Sequence, residues 1–183
     1  MKTTVVLLGD SLTEAGIFPL TKGIPDLELH NLGIPGDTTW GILSRLHEIW
    51  DLDPTFVFLL VGVNDLANGE REEDIVVRHR RIWESVIAPD GPTLVLHPLL
   101  PVNPLRFPSG DWGLKNSVIY DLNFHLECEA LKVKIPILDF RAQLIDDGGK
   151  LKDEYTIDGL HLTREAYVHW DSAISDFIKH RIT

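Results

Sequence analysis

The chain has 183 residues, 44% of them hydrophobic and 25% charged, proportions that argue against disorder, collagen and coiled coil and in favour of one globular domain spanning residues 1–183. Seventeen Lys and Arg against 28 Asp and Glu give a net charge of −11, which disfavours nucleic acid and anionic lipid as partners. The single cysteine, Cys128, excludes an internal disulfide and any multi-cysteine metal site.

The first strand is expected over Thr3 to Leu8, a β-branched and Leu-rich run too short for a signal core or a membrane span. Later strands are expected at Leu27 to Asn31, Thr55 to Val61, Thr93 to His97 and Ile135 to Phe140. Most of these runs are continuously apolar rather than alternating, as in strands buried on both faces of a parallel sheet. Four segments between and after them have helical spacing. Trp40, Leu43, Leu46, His47 and Trp50 form one stripe; Ile75, Ile82, Trp83, Val86 and Ile87 a second. Ile119, Leu122, Leu126 and Ala130 form a third; Tyr167, Trp170, Ile174, Phe177 and Ile178 a fourth. All four read as core-facing. Strands alternating with helices predict a three-layer α/β/α sandwich around a five-stranded parallel sheet. No later stretch is long and apolar enough to span a bilayer, so no stable membrane association is expected. The initial Met argues against a removed leader, and the chain reads as cytoplasmic. Oligomeric state is not readable.

In open parallel sheets ligands bind beyond the carboxyl ends of the strands, so the loops there matter most. The first is Gly9-Asp10-Ser11-Leu12-Thr13, and the second runs from Asn31 through Gly33, Pro35 and Gly36 to Thr38. The third is Gly62-Val63-Asn64-Asp65. Asp158-Gly159-Leu160-His161-Leu162 precedes the last helix. Each has an ordinary reading as a cap or a turn. Together they hold the parts of acyl transfer. Ser11 is the candidate nucleophile and His161 its base. Asp158, three residues before His161, can orient the imidazole and stabilise its cation. The backbone N–H groups of Ser11 and Gly33 and the side-chain amide of Asn64 can receive the developing oxyanion.

These four blocks resemble the SGNH hydrolases, or GDSL esterases and lipases, in order and spacing from residue 9 to 162. The run through Thr38-Thr39 looks most like the branch of platelet-activating-factor acetylhydrolase and lysophospholipase-like esterases. The resemblance implies a flavodoxin-like fold and ester or thioester hydrolysis. It also implies Ser11, His161 and Asp158 as the triad, with Ser11, Gly33 and Asn64 around the oxyanion. Two positions depart from the pattern: Pro35, where small residues are usual, and Ala166-Tyr167 in place of Gly-Tyr. The nucleophile elbow Gly-x-Ser-x-Gly is not met, because residue 13 is Thr.

Eight histidines show no metal-ligand spacing, and no metal or cofactor is expected. His97, at the end of the fourth strand, either lines the site or is a satisfied buried histidine, and the second reading is preferred. The Pro- and Gly-rich segment Pro101 to Leu114 carries Phe107 and Trp112, which either wall the substrate pocket or tuck into an ordinary surface connection. The expected partner is a small-molecule carboxylic ester with a short acyl group, hydrolysed through an acyl-enzyme on Ser11. Rival readings are a catalytically silent carbohydrate- or lipid-binding module and an interaction subunit. A phosphate binder is the last rival, although the first loop carries Asp10 and no Lys or Arg before Lys22.

Overall fold

A computed structural model describes residues 2–106 and 114–182. Strand β1 (Thr3–Gly9) is followed by short helices α1 (Ser11–Glu14) and α2 (Pro19–Lys22). Strand β2 (Leu27–Gly33), α3 (Thr39–Ser44), α4 (His47–Trp50), β3 (Phe56–Leu60) and α5 (Val63–Ala67) come next. The chain continues through α6 (Glu72–Val86), β4 (Thr93–Leu96), α7 (Asn116–Lys132), α8 (Arg141–Leu144) and α9 (Arg164–Ile182).

The strands pair in parallel in the order β2-β1-β3-β4. Phe56 and Phe58 of β3 meet Phe177 of α9 edge-on, at ring separations of 6.2 and 5.5 Å. The alternate residues Val57 and Leu59 point to the other face and are equally buried. Helices therefore flank a parallel sheet, as expected.

The sheet has four strands, not five. The segment around Ile137 meets β4 at a single bridge to Leu96. Leu96 N–H donates to Pro136 O and Leu138 N–H to Leu96 O, each at 2.9 Å. Pro136 has no N–H to give the ladder. At the other end, Leu138 O is taken by the His97 ring, 2.9 Å away. The ladder thus stops after one rung.

Three helical stripes lie inward as expected, except that Ile87 falls just past α6 and is exposed. The first stripe does not form one helix. It breaks between α3 and α4, and its end residues Trp40 and Trp50 are 54% and 45% exposed. β2 runs two residues further than its apolar run suggests, so Gly33 closes the ladder opposite Gly9. That register places the carboxyl ends of β1, β2 and β3 side by side, with Gly9 next to both Gly33 and Leu60.

Candidate active site

Ser11 is the first residue of α1, directly after the buried cap Asp10, whose Oδ1 accepts Leu12 N–H at 2.9 Å. An N-cap carboxyl of this kind satisfies one of the free donors of a helix start and sets the angle at which the chain leaves the strand. Ser11 Oγ is 3.1 Å from His161 Nε2 across 150 residues of sequence. His161 Nδ1 is 2.7 Å from Asp158 Oδ2. Asp158 Oδ1 also accepts the N–H groups of Leu160, at 3.0 Å, and His161, at 2.8 Å. The three expected residues therefore come together as a linked row.

Burial pushes the Asp158 carboxyl up, but the hydrogen bonds from the His161 ring and from the two backbone amides outweigh it and hold the group below its ordinary value. Asp158 is then an anion beside the ring, which keeps Nδ1 protonated and leaves the Nε2 lone pair facing Ser11.

The oxyanion side differs from expectation at Gly33. Its N–H donates to Asn31 Oδ1 at 2.9 Å and is already engaged. A Cβ at residue 33 would lie 2.1 Å from Glu14 N, so this glycine serves the close passage of β2 past α1. The next amide, Ile34 N–H, donates to Gly9 O at 3.1 Å.

Beyond it, Asp37 N–H closes a turn onto Ile34 O at 3.0 Å. Pro35 and Gly36 occupy its corners, and Gly36 has φ +77°, the combination a type II turn requires. Pro35, which departs from the family pattern, suits its corner because its ring presets φ. The Gly36 N–H has no acceptor among the described residues, and open space surrounds the place a Cβ would take. Asn64 Nδ2 donates one hydrogen to Asp37 O at 2.8 Å, which fastens its amide to the same turn and leaves the second hydrogen free. The Ser11 N–H, at a helix start, is likewise free of an intrahelical partner. The sequence marks Gly36 only as a turn glycine; that its amide is free follows from the turn's place beyond the end of β2.

A second buried cluster supports this edge. Asp65, 1% exposed, accepts from Thr39 N–H at 3.0 Å and Thr39 Oγ1 at 2.5 Å. Arg78 donates to Asp65 at 3.2 Å and, through Nε, to Thr39 Oγ1 at 2.6 Å. Residue 65 follows Asn64, so the pair holds α5 against the start of α3.

His97 is the satisfied buried histidine expected. Nδ1–H donates to Leu138 O, and Nε2 accepts from Trp170 Nε1–H at 3.1 Å. Burial pushes its pKa down to about 4. Phe107 and Trp112 lie outside the described residues. Among the described residues no three His, Cys, Asp or Glu are placed to hold a metal ion, and no helix is long and apolar enough to cross a membrane.

The profile of the GDSL-like lipase/acylhydrolase family matches residues 7–168. The chain belongs to that family. GDSL-like relatives of known structure share its fold. A GDSL-like lipase from Bacteroides thetaiotaomicron superposes with a TM-score of 0.78 at 25% identity, over 97% of this chain and 88% of the other. A Streptococcus pneumonia protein whose name refers to platelet activating factor superposes with a TM-score of 0.83 at 26% identity, over 97% and 85%. Among curated sequences, the N-acylneuraminate cytidylyltransferase of Escherichia coli O18:K1:H7 is 28% identical over 178 residues. That match takes in 96% of this GDSL-like chain but only 40% of the relative's length.

Proposed function

We propose that this protein is a serine hydrolase of carboxylic esters that works through an acyl-enzyme on Ser11. The observation that carries the reading is the row Ser11–His161–Asp158, with heavy-atom separations of 3.1 and 2.7 Å. His161 Nε2 takes the Ser11 proton as Oγ attacks the ester carbonyl. The oxyanion that forms is received by the N–H groups of Ser11 and Gly36 and by the free Asn64 amide hydrogen, donors held in place before the substrate arrives. His161 then returns the proton to the departing alkoxide, and the alcohol leaves. Water, deprotonated by the same ring, attacks the acyl group and releases the acid, which restores Ser11.

Small acyl groups fit best. The side chains of His161 and Asp158 are 41% and 44% exposed. The apolar neighbours Leu12 and Leu160 are buried in the core. An open triad of this kind suits a short acyl group on a larger alcohol. The named activity of the curated relatives, on an N-acylneuraminate, makes O-acylated sugar acids one class of ester to test.

A fluorophosphonate probe followed by intact mass tests the reading. One adduct on the wild type, absent in Ser11→Ala, is expected, together with p-nitrophenyl ester hydrolysis that falls as the acyl chain lengthens from acetate to octanoate. Absence of both labelling and hydrolysis would favour the silent binding module on the same fold. A rate that rises with chain length would refute the small-acyl part.

A further inference from the structure

The Gly36 turn and the nucleophile stand on separate strand ends, yet one buried side chain touches the supports of both. Arg45, just past α3, has a side chain only 8% exposed, and that of Asp37 is 7% exposed. Arg45 Nε–H and Nη2–H both donate to Asp37 Oδ2, at 2.9 and 2.7 Å. The same Nη2 donates to Gly9 O at 3.2 Å, and Nη1 reaches Glu48 Oε2 at 3.4 Å. Gly9 is the last residue of β1, two before Ser11. Its carbonyl also accepts Ile34 N–H, the first residue of the Gly36 turn. Asp37 is the last residue of that turn, and its carbonyl accepts the Asn64 amide.

From these contacts we infer that Arg45 is a positioning residue, which sets the distance between Ser11 and the oxyanion donors without touching substrate. The inference rests on the proposed hydrolase reading for its consequence and on the hydrogen bonds above for its geometry. One guanidinium grips the turn at Asp37 and, through the shared carbonyl of Gly9, anchors its other end at Ile34. Gly36 lies between those two ends. A buried charge pair costs desolvation that apolar packing would avoid, so its presence here is better explained by the shape it imposes than by stability. A fork of donors in one plane is needed to bond a carboxylate and a carbonyl together; an ammonium on a flexible stem cannot hold both in the same geometry.

Oxyanion donors act on the transition state more than on bound substrate, so displacing them lowers kcat and leaves KM near its original value. Arg45→Met should reduce kcat for p-nitrophenyl acetate on the order of 10- to 100-fold, with KM changed less than about twofold. Arg45→Lys keeps the charge and folds if the methionine variant does not. It should recover only part of the loss. In an Asn64→Ala background the further loss from Arg45→Met should be much smaller than in the wild type, because the two share one effect. Equal losses in both backgrounds, or a change confined to KM, would overturn the positioning role.

The role is also read without turnover. In 15N spectra of the two Arg45 variants, the Gly36 backbone amide and the Asn64 side-chain amide should shift, while amides in the middle of α7 stay in place. Unshifted Gly36 and Asn64 signals would overturn the inference even if activity fell. A wild type that neither takes up the probe nor hydrolyses any ester would instead remove the hydrolase reading, and the amide shifts would still decide what Arg45 holds.

Discussion

Asp10→Asn should make the protein more stable at neutral pH, by an amount that depends on pH in a defined way. Asp10 is fully buried, and among the described residues its Oδ2 has no hydrogen-bond partner. Burial pushes its pKa from 3.8 up to about 7; the Leu12 N–H bond and nearby His161 oppose the shift, and the Asp37 and Asp65 carboxylates add to it. A carboxyl whose folded value is raised costs nothing while both states are protonated, below about pH 4. Between about pH 4 and 7 the unfolded chain ionises and the folded one does not, so stability falls by about 1.4 kcal/mol per pH unit. Above pH 7 the loss levels off at about 4 kcal/mol. Asparagine keeps the acceptor for Leu12 N–H and cannot ionise. The variant-minus-wild-type difference should therefore climb between pH 4 and 7 and then stay flat. His79 and His97, both lowered to about 4 by burial, contribute in the opposite sense. Their stabilisation is complete above pH 6.5 and is lost toward pH 4, but it occurs in both proteins and cancels in the difference. Urea unfolding followed by circular dichroism at pH 5, 6, 7 and 8 measures it. A difference that is constant across those four points would show that Asp10 ionises normally in the folded state.

Three further outcomes are expected. Ser11→Ala should lower kcat/KM for p-nitrophenyl acetate by several orders of magnitude, and adding His161→Ala should lower it little further, since the two act as a unit; multiplying losses would count against a shared proton transfer. Arg78→Met should cost about 3–5 kcal/mol in urea unfolding, because it leaves Asp65 buried without its counter-charge, whereas Arg71→Ala, at an exposed pair with Asp74, should leave the midpoint where it was. His97→Asn should destabilise at pH 7 by opening the cluster of Phe58, Phe140 and Trp170 around the ring, yet it should flatten the acid loss between pH 6.5 and 4, and an acid limb as steep as the wild type's would refute the buried neutral ring.

The fold was legible wherever local pattern and burial agree. β1 and β3 are continuous apolar runs because both their faces are covered, and α6, α7 and α9 carry stripes that the sheet buries. The fifth expected strand does not form, for a reason the pattern does not contain. Ile135 to Phe140 has the composition of a strand, but whether it joins a ladder depends on which N–H and C=O groups reach β4, and Pro136 and the His97 ring remove two of the rungs. The stripe from Trp40 to Trp50 failed similarly. Its spacing is helical, yet Arg45 leaves the helical conformation at the end of α3 to reach Gly9 and Asp37, and the helix restarts beyond it.

At the site, residue chemistry was readable and the use of each backbone amide was not. Ser11, Asp158 and His161 stood out because only a few side-chain types can move a proton and hold a charge, and they meet as the spacing suggested. Every residue but proline has an N–H, so composition cannot say which amide is free. With the strand ending at Asn31, as the apolar run suggests, the Gly33 amide would lie outside the ladder. Two more ladder residues place Gly33 opposite Gly9, and the Asn31 side chain folds back to take its N–H. The free amide then moves to Gly36, where a positive φ keeps the N–H outside the ladder. A Gly36→Ala variant should lose activity through backbone strain, because φ +77° disfavours any side chain although the space is open. Gly33→Ala should lose it through unfolding, because its Cβ would collide with the backbone of Glu14. Circular dichroism beside the kinetics separates the two, and a well-folded but inactive Gly33→Ala would return the oxyanion role to residue 33.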